Sequence, residues 1–392
     1  MPVSFFALLS LVFRPQAATI VSGALAERTR FLAYALVSMI ITAFIYPVVV
    51  HWTWGGGWLA EGGYVDFAGS GIVHMVGGVC ALMGAAMVGP RQGRFEDRES
   101  ASCCSCIKQT ENSFRPHNVP MVVLGTLILW FGWYGFNCGS TLAAAGTAID
   151  LAGVVALNTS LAAGVAGITA LFTQAAISKF SKDRTTHYDI STTANGILAG
   201  LVSITAGCGD VTDYGAFILG LVGGLLYVLV SFAVRSMGVD DPLDAFAIHG
   251  ACGAWGVFAV GFFHTSDGVF YGGDGTLLGW QVAGILAIFV WSAGLSALFF
   301  GILKGGGCLR MSAVAEREGA DVHEHGGSAY TMKSQVTAIQ MTPMQGDGSA
   351  DDDEDDGERQ PLTAGKAENV EPQAETAAEA NGLKAEAAGE EV

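Results

Sequence analysis

Long apolar runs separated by short polar connections fill the first 310 residues. Nine of them are long enough to cross a bilayer as helices: 5–25, 31–52, 67–89, 119–138, 150–174, 191–208, 214–234, 244–263 and 276–303. A hydrocarbon core of about 30 Å takes about 20 helical residues, so the pattern predicts an all-α polytopic membrane protein. Between Pro15 and Arg310 the 13 Lys and Arg residues all fall in alternate connections: Arg28 and Arg30, Arg91 to Arg115, Lys179 to Arg184, Arg235, and Lys304 with Arg310. The intervening connections, 53–66, 139–149, 209–213 and 264–275, contain none. Basic residues collect on the cytosolic side of a membrane, so this segregation predicts a cytosolic C-terminus and supports the count of spans.

Nine spans and an inner C-terminus put the N-terminus outside. Met1 is followed directly by apolar residues without the basic start of a cleavable signal. Arg14-Pro15 interrupts the first run, where an arginine costs roughly 2.5–3.5 kcal/mol on insertion scales. Residues 1–15 are therefore read as a doubtful start that is not native to this fold.

Charge changes the picture once it is placed along the chain. The formal net charge is −17, but residues 311–392 hold 19 acids against 5 bases, whereas 1–310 hold 17 against 14. The apolar body is near neutral, the acidity belongs to the tail, and a basic footprint for nucleic acid is excluded. The tail beyond 334, with Asp351 to Asp356 and an Ala/Glu-rich end, buries nothing and is expected to be disordered. Cys103, Cys104 and Cys106 lie in a polar connection and are read as reduced loop thiols. No second Cys/His pair follows at zinc spacing, and no cofactor or metal is expected.

Ionisable groups inside spans are costly and point to function. Asp66 is followed by His74 and Gly78, entering from outside, and Asp244 by His249 and Gly253, entering from inside. The same order of residues from opposite sides suggests an inverted repeat, which places a substrate site near the midplane. Two neutral imidazoles there offer one donor and one acceptor each to a small polar solute. At the outer end Trp54, in a Trp-Gly-Gly-Gly-Trp run, and Gly132 to Ser140 bring together indole faces and a hydroxyl. These suit a small cation or, equally, an interfacial aromatic belt that includes Trp58 and Trp133. An intramembrane hydrolase lacks a nucleophile in a recognisable context, and a retinal protein lacks a lysine in any span, so no enzyme is expected.

Several segments carry a resemblance: Gly23 to Arg28 (GALAER), Trp54-Gly-Gly-Gly, Asp66-Phe-Ala-Gly through His74, Gly132 to Ser140 (GWYGFNCGS), Ser203 to Gly207 (SITAG), Asp241-Pro-Leu-Asp244 through His249-Gly, and His325 to Tyr330 (HGGSAY). Over about 16–333 the chain resembles the ammonium transporter family, its plant and algal branch more than the related Rhesus proteins. The resemblance implies an inverted-repeat bundle of eleven spans, of which about nine are present here, as if the first two were absent. It also implies a homotrimer, residence in the plasma membrane, and transport of ammonium or ammonia. Trp54 and Ser140 would recruit ammonium, with Phe136 as one gate phenylalanine and Phe13 as a doubtful second. Asp66 would support that site, His74 and His249 would line the pore, and Thr205 and Asp244 would stand near its inner end. Residues 16–310 would form the transport domain and 311–333 a cytosolic regulatory segment. A sensor with little transport is the alternative reading.

Overall fold

The computed structural model describes residues 16–95, 114–143, 145–180 and 188–327. In these residues the apolar runs form helices. Seven are long and apolar enough to cross a membrane: α2 (Phe31–Trp52), α4 (Ser70–Val88), α5 (Val119–Thr141, closing in a short 3₁₀ turn), α6 (Thr147–Phe180), α8 (Asp213–Ser236), α9 (Phe246–Phe263) and α10 (Thr276–Gly305). Two shorter apolar helices, α1 (Gln16–Leu25) and α7 (Ile190–Thr205), complete the bundle. The short α3 (Trp58–Gly62) follows α2, and α11 (Ala313–Glu318) and α12 (Ala320–His325) follow α10. Phe13, the cysteine cluster at 103–106 and the acidic tail lie outside the described residues.

Local chemistry sets the helix starts. Asn118 accepts from the Met121 N–H at the start of α5, Asp189 from Thr192 in α7 and Thr212 from Gly215 in α8, each satisfying a backbone donor that the first turn leaves unpaired. Packing then relies on small residues. α6 lies along both α7 and α8, and its Ala162, Ala166 and Gly167 meet Gly196, Gly200, Gly220 and Gly224 backbone to backbone, the close approach that small residues permit between membrane helices.

Three helices contain a π-helical turn. α2 has one in its middle, over Ile41–Ile45, while α4 opens with one over Ser70–Met75 and α9 with one over Phe246–Ala251, and each of these two opening turns contains a predicted pore histidine. Wide turns of this kind collect at functional sites. α4 and α9 cross at glycine: a Cβ on Gly78 would fall 2.1 Å from the Gly250 N, and one on Gly253 would fall 2.5 Å from the Ser70 O.

The connections at the basic end are tied together by charge. Arg28, fully buried, donates to the Gly89, Ala26 and Asp240 carbonyls. Arg91 pairs with Asp240 at 2.8 Å and with Glu27 at 2.6 Å. Arg310 pairs with Glu316 at 2.9 Å and donates to the Val88 and Pro90 carbonyls. Thr29 and Arg310 form an antiparallel bridge, so the segment after α10 is bound to the connections after α1 and α4.

Candidate functional site

The two histidines meet. The Nδ1 atoms of His74 and His249 are 3.2 Å apart, with ring centroids 5.2 Å apart and planes 19° from parallel. One hydrogen fits between two such nitrogens, so one ring donates and the other accepts. His74 Nε2 is buried and has no hydrogen-bond partner among the described residues. Two aromatic rings pack on His74: Trp133 stacks on it at 5.0 Å and 13°, and Phe136 lies against it at 5.5 Å and 40°. Trp133 is thus a wall of the site and not an interfacial residue, which corrects the aromatic-belt reading for this position. Its Nε1 donates to Thr205 Oγ1 at 2.9 Å, while Thr205 donates to the Leu201 carbonyl at 2.7 Å. Trp58, by contrast, is 44% exposed and has the character of a belt residue.

The outer turn is built around Asp66. Its Oδ1 accepts from the Gly69 and Ser70 N–H groups and its Oδ2 from Gly71 and Ile72, all at 2.8–3.0 Å. Gly69 has a φ of +108°, a conformation that favours glycine, and this lets the chain turn into α4 with four N–H groups aimed at one carboxylate. Burial pushes the Asp66 carboxyl up, to about 6, against these four donors, which favour its charged form. The Trp54 indole donates to the Asp66 carbonyl at 2.8 Å and lies against Gly69, where a Cβ would come within 3.1 Å of the ring. Ser140 lies one turn beyond Phe136 and donates to its carbonyl at 2.9 Å, leaving hydroxyl lone pairs for a donor from outside. The geometry therefore joins Trp54 to Asp66 and Phe136 to the histidines, with Ser140 one turn farther along α5.

Two expectations need correction. Thr205 and Asp244 do not share an inner position. Thr205 ends α7 beside the Asp66 turn, where the Ala68 N–H donates to its carbonyl at 3.1 Å, whereas Asn195, ten residues earlier, reaches Asp244 at 3.5 Å. About 15 Å of helix separates those two levels, so Thr205 belongs to the Asp66 end. Asp244 is also not the counterpart of Asp66. Asp241 precedes His249 by eight residues, as Asp66 precedes His74. Asp241 accepts from the Phe246 N–H at 2.8 Å, and Asp244, at φ +56°, occupies the left-handed position held by Gly69 in the first half. The crossing obeys the same offset, Gly78 against Gly250 and Gly253 against Met75. Asp244 instead serves as an anchor, accepting from Ser231 at 2.7 Å and Tyr227 at 3.1 Å and pairing with Arg235 at 3.2 Å. The spacing of eight was present in the sequence and would have identified Asp241.

Inverted helical halves that meet at a buried imidazole pair, with an indole held over the Asp66 turn, define a polytopic membrane protein with a candidate site at the junction of the halves. The model of the Ammonium Transporter Family matches residues 1–330. Over 358 residues the chain is 40% identical to ammonium transporter 1 member 1 of Oryza sativa subsp. japonica, covering 83% of this chain and 68% of that relative. It resembles a solved structure described as a sensor Amt protein, with a TM-score of 0.71 and 37% identity over 82% of this chain and 76% of that one. It also resembles Saccharomyces cerevisiae Mep2, with a TM-score of 0.68 and 28% identity over 80% and 68%. The chain belongs to the Ammonium Transporter Family.

Proposed function

We propose that this protein carries ammonium or ammonia across a membrane along the His74/His249 pair. The observation that carries the reading is the 3.2 Å Nδ1 contact between two buried imidazoles, walled by Trp133 and Phe136. Ammonium and potassium are of similar size, so a pore selects between them through chemistry. Desolvating a bare cation is costly, but ammonium can give up a proton and cross as a neutral molecule. In this reading Trp54 and Ser140 recruit ammonium through an indole face and a hydroxyl, with Phe136 between them and the imidazoles. Asp66 holds the entrance turn and adds negative potential without touching the substrate. The proton follows along the imidazole pair, which has room for one hydrogen between its Nδ1 atoms.

The protein acts in this reading as a homotrimer in the plasma membrane with its C-terminus in the cytosol, the side to which the alternating basic connections point. Sensing with little transport is the less favoured reading, since the curated relative above is named as a transporter. Growth rescue of cells lacking their own ammonium uptake separates the two. In rescued cells, His74→Ala and His249→Ala should abolish or strongly lower the preference for ammonium over potassium. Unchanged selectivity in both variants would exclude the pair from that role.

A further inference from the structure

We propose that Asp241 is a proton-exchange group at the inner end of the pore, taking up and releasing through its Oδ1 the proton that the imidazole pair passes inward. The proposal rests on the transport reading above and on a difference between the two halves. Both oxygens of Asp66 are satisfied, each by two backbone N–H groups. Asp241, at the equivalent place eight residues before His249, is held by fewer donors: the Phe246 N–H bonds to Oδ2, and the Ala245 N–H also bonds to the carboxylate. Its Oδ1 is buried and has no hydrogen-bond partner among the described residues. A carboxylate oxygen in that state is costly to keep bare and is suited to accept a proton.

The charged groups around Asp241 are Arg28 from the connection after α1, Arg235 from α8, and Asp240 and Asp244 from its own turn. Arg91 is bound to Asp240, and Arg235 is paired with Asp244. In the exchange, a bond to hydrogen breaks at a ring nitrogen of His249 and the proton passes through water of the inner pore. An O–H bond then forms at Oδ1, and its breaking returns the proton to cytosolic water. No electron is transferred. Burial, followed by the Asp244 charge, pushes the Asp241 carboxyl up to about 6, so the group is ionised at neutral pH and readily reprotonated.

The test is the ammonium-dependent current of inside-out patches, with pH set on the cytosolic side. A group titrating near 6 is mostly ionised at about pH 8 and about one-tenth ionised at about pH 5, so the wild-type current should fall roughly tenfold between them. Asp241→Asn keeps an acceptor for Phe246 and cannot titrate, and its current should lose this step. The same step in Asp241→Asn would overturn the proposal. If that variant does not reach the membrane, Asp241→Glu decides: a retained step supports the assignment and a flat profile overturns it. A wild type with neither current nor uptake would sink the transport reading and this proposal together, whereas a transporting wild type with an unchanged Asp241→Asn profile sinks this proposal alone.

Discussion

Asp66 shows how one side chain fixes a local structure. Four N–H groups converge on its carboxylate, and an amide cannot replace it because Asn has a single acceptor oxygen. Asp66→Asn leaves two donors facing an NH₂ group, at about 1–3 kcal/mol for each buried donor left unsatisfied. Its thermal midpoint in detergent should drop clearly, while the exposed Glu61→Gln should leave it unchanged. Trp133→Phe keeps a ring over His74 but removes the 2.9 Å bond to Thr205. A loss of about 0.5–1.5 kcal/mol is expected in the same melt, and a larger loss would mean that the indole area carries more of the stability. The histidines, Trp54, Asp66 and Phe136 were legible because polar or motif residues stand out in an apolar run. Trp133 was not, since an aromatic near a span end reads the same whether it faces lipid or a buried ring.

At the level of elements, the crossing of α4 and α9 leaves no space for a side chain. Gly78→Ala would place a methyl 2.1 Å from the Gly250 backbone, and backbone cannot yield as a flexible side chain does. Overpacking typically costs about 1–3 kcal/mol, and here little or no folded protein should be recovered. Gly125→Ala on α5 meets nothing within 4 Å and should give normal yield on size-exclusion chromatography. Equal yields of the two variants would show that the crossing relaxes. Hydropathy located the spans because length and apolarity are what a bilayer requires. The π-helical openings were illegible, since six mostly apolar residues do not distinguish one helical period from another. The inverted relation was visible in the order of Asp, His and Gly, but its register was off by three residues until the left-handed positions of Gly69 and Asp244 fixed it.

Over the whole molecule, charge holds one end of the bundle together. Burial raises the Asp240 carboxyl, but the hydrogen bonds and charge of Arg91, helped by Arg28, outweigh this and hold it below the ordinary 3.8. A depressed carboxyl contributes stability in full above the unfolded value, and that contribution disappears as pH falls through the folded one. Wild type should therefore lose thermal stability more steeply than Asp240→Asn below about pH 4, and parallel acid profiles would remove Asp240 from that role. The alternation of basic connections made this end legible in the sequence, but the net charge of −17 did not, because most of it lies beyond 311. Each half of the repeat carries one imidazole and one side of the glycine crossing, and the connection between α4 and α5 is the covalent tie between them. A chain cut between 96 and 113 and expressed as two pieces thus retains the whole recognition surface. Its pieces should find each other in the membrane without a linker, through the glycine crossing, the imidazole pair and the contacts of Arg28 and Arg91 with Asp240.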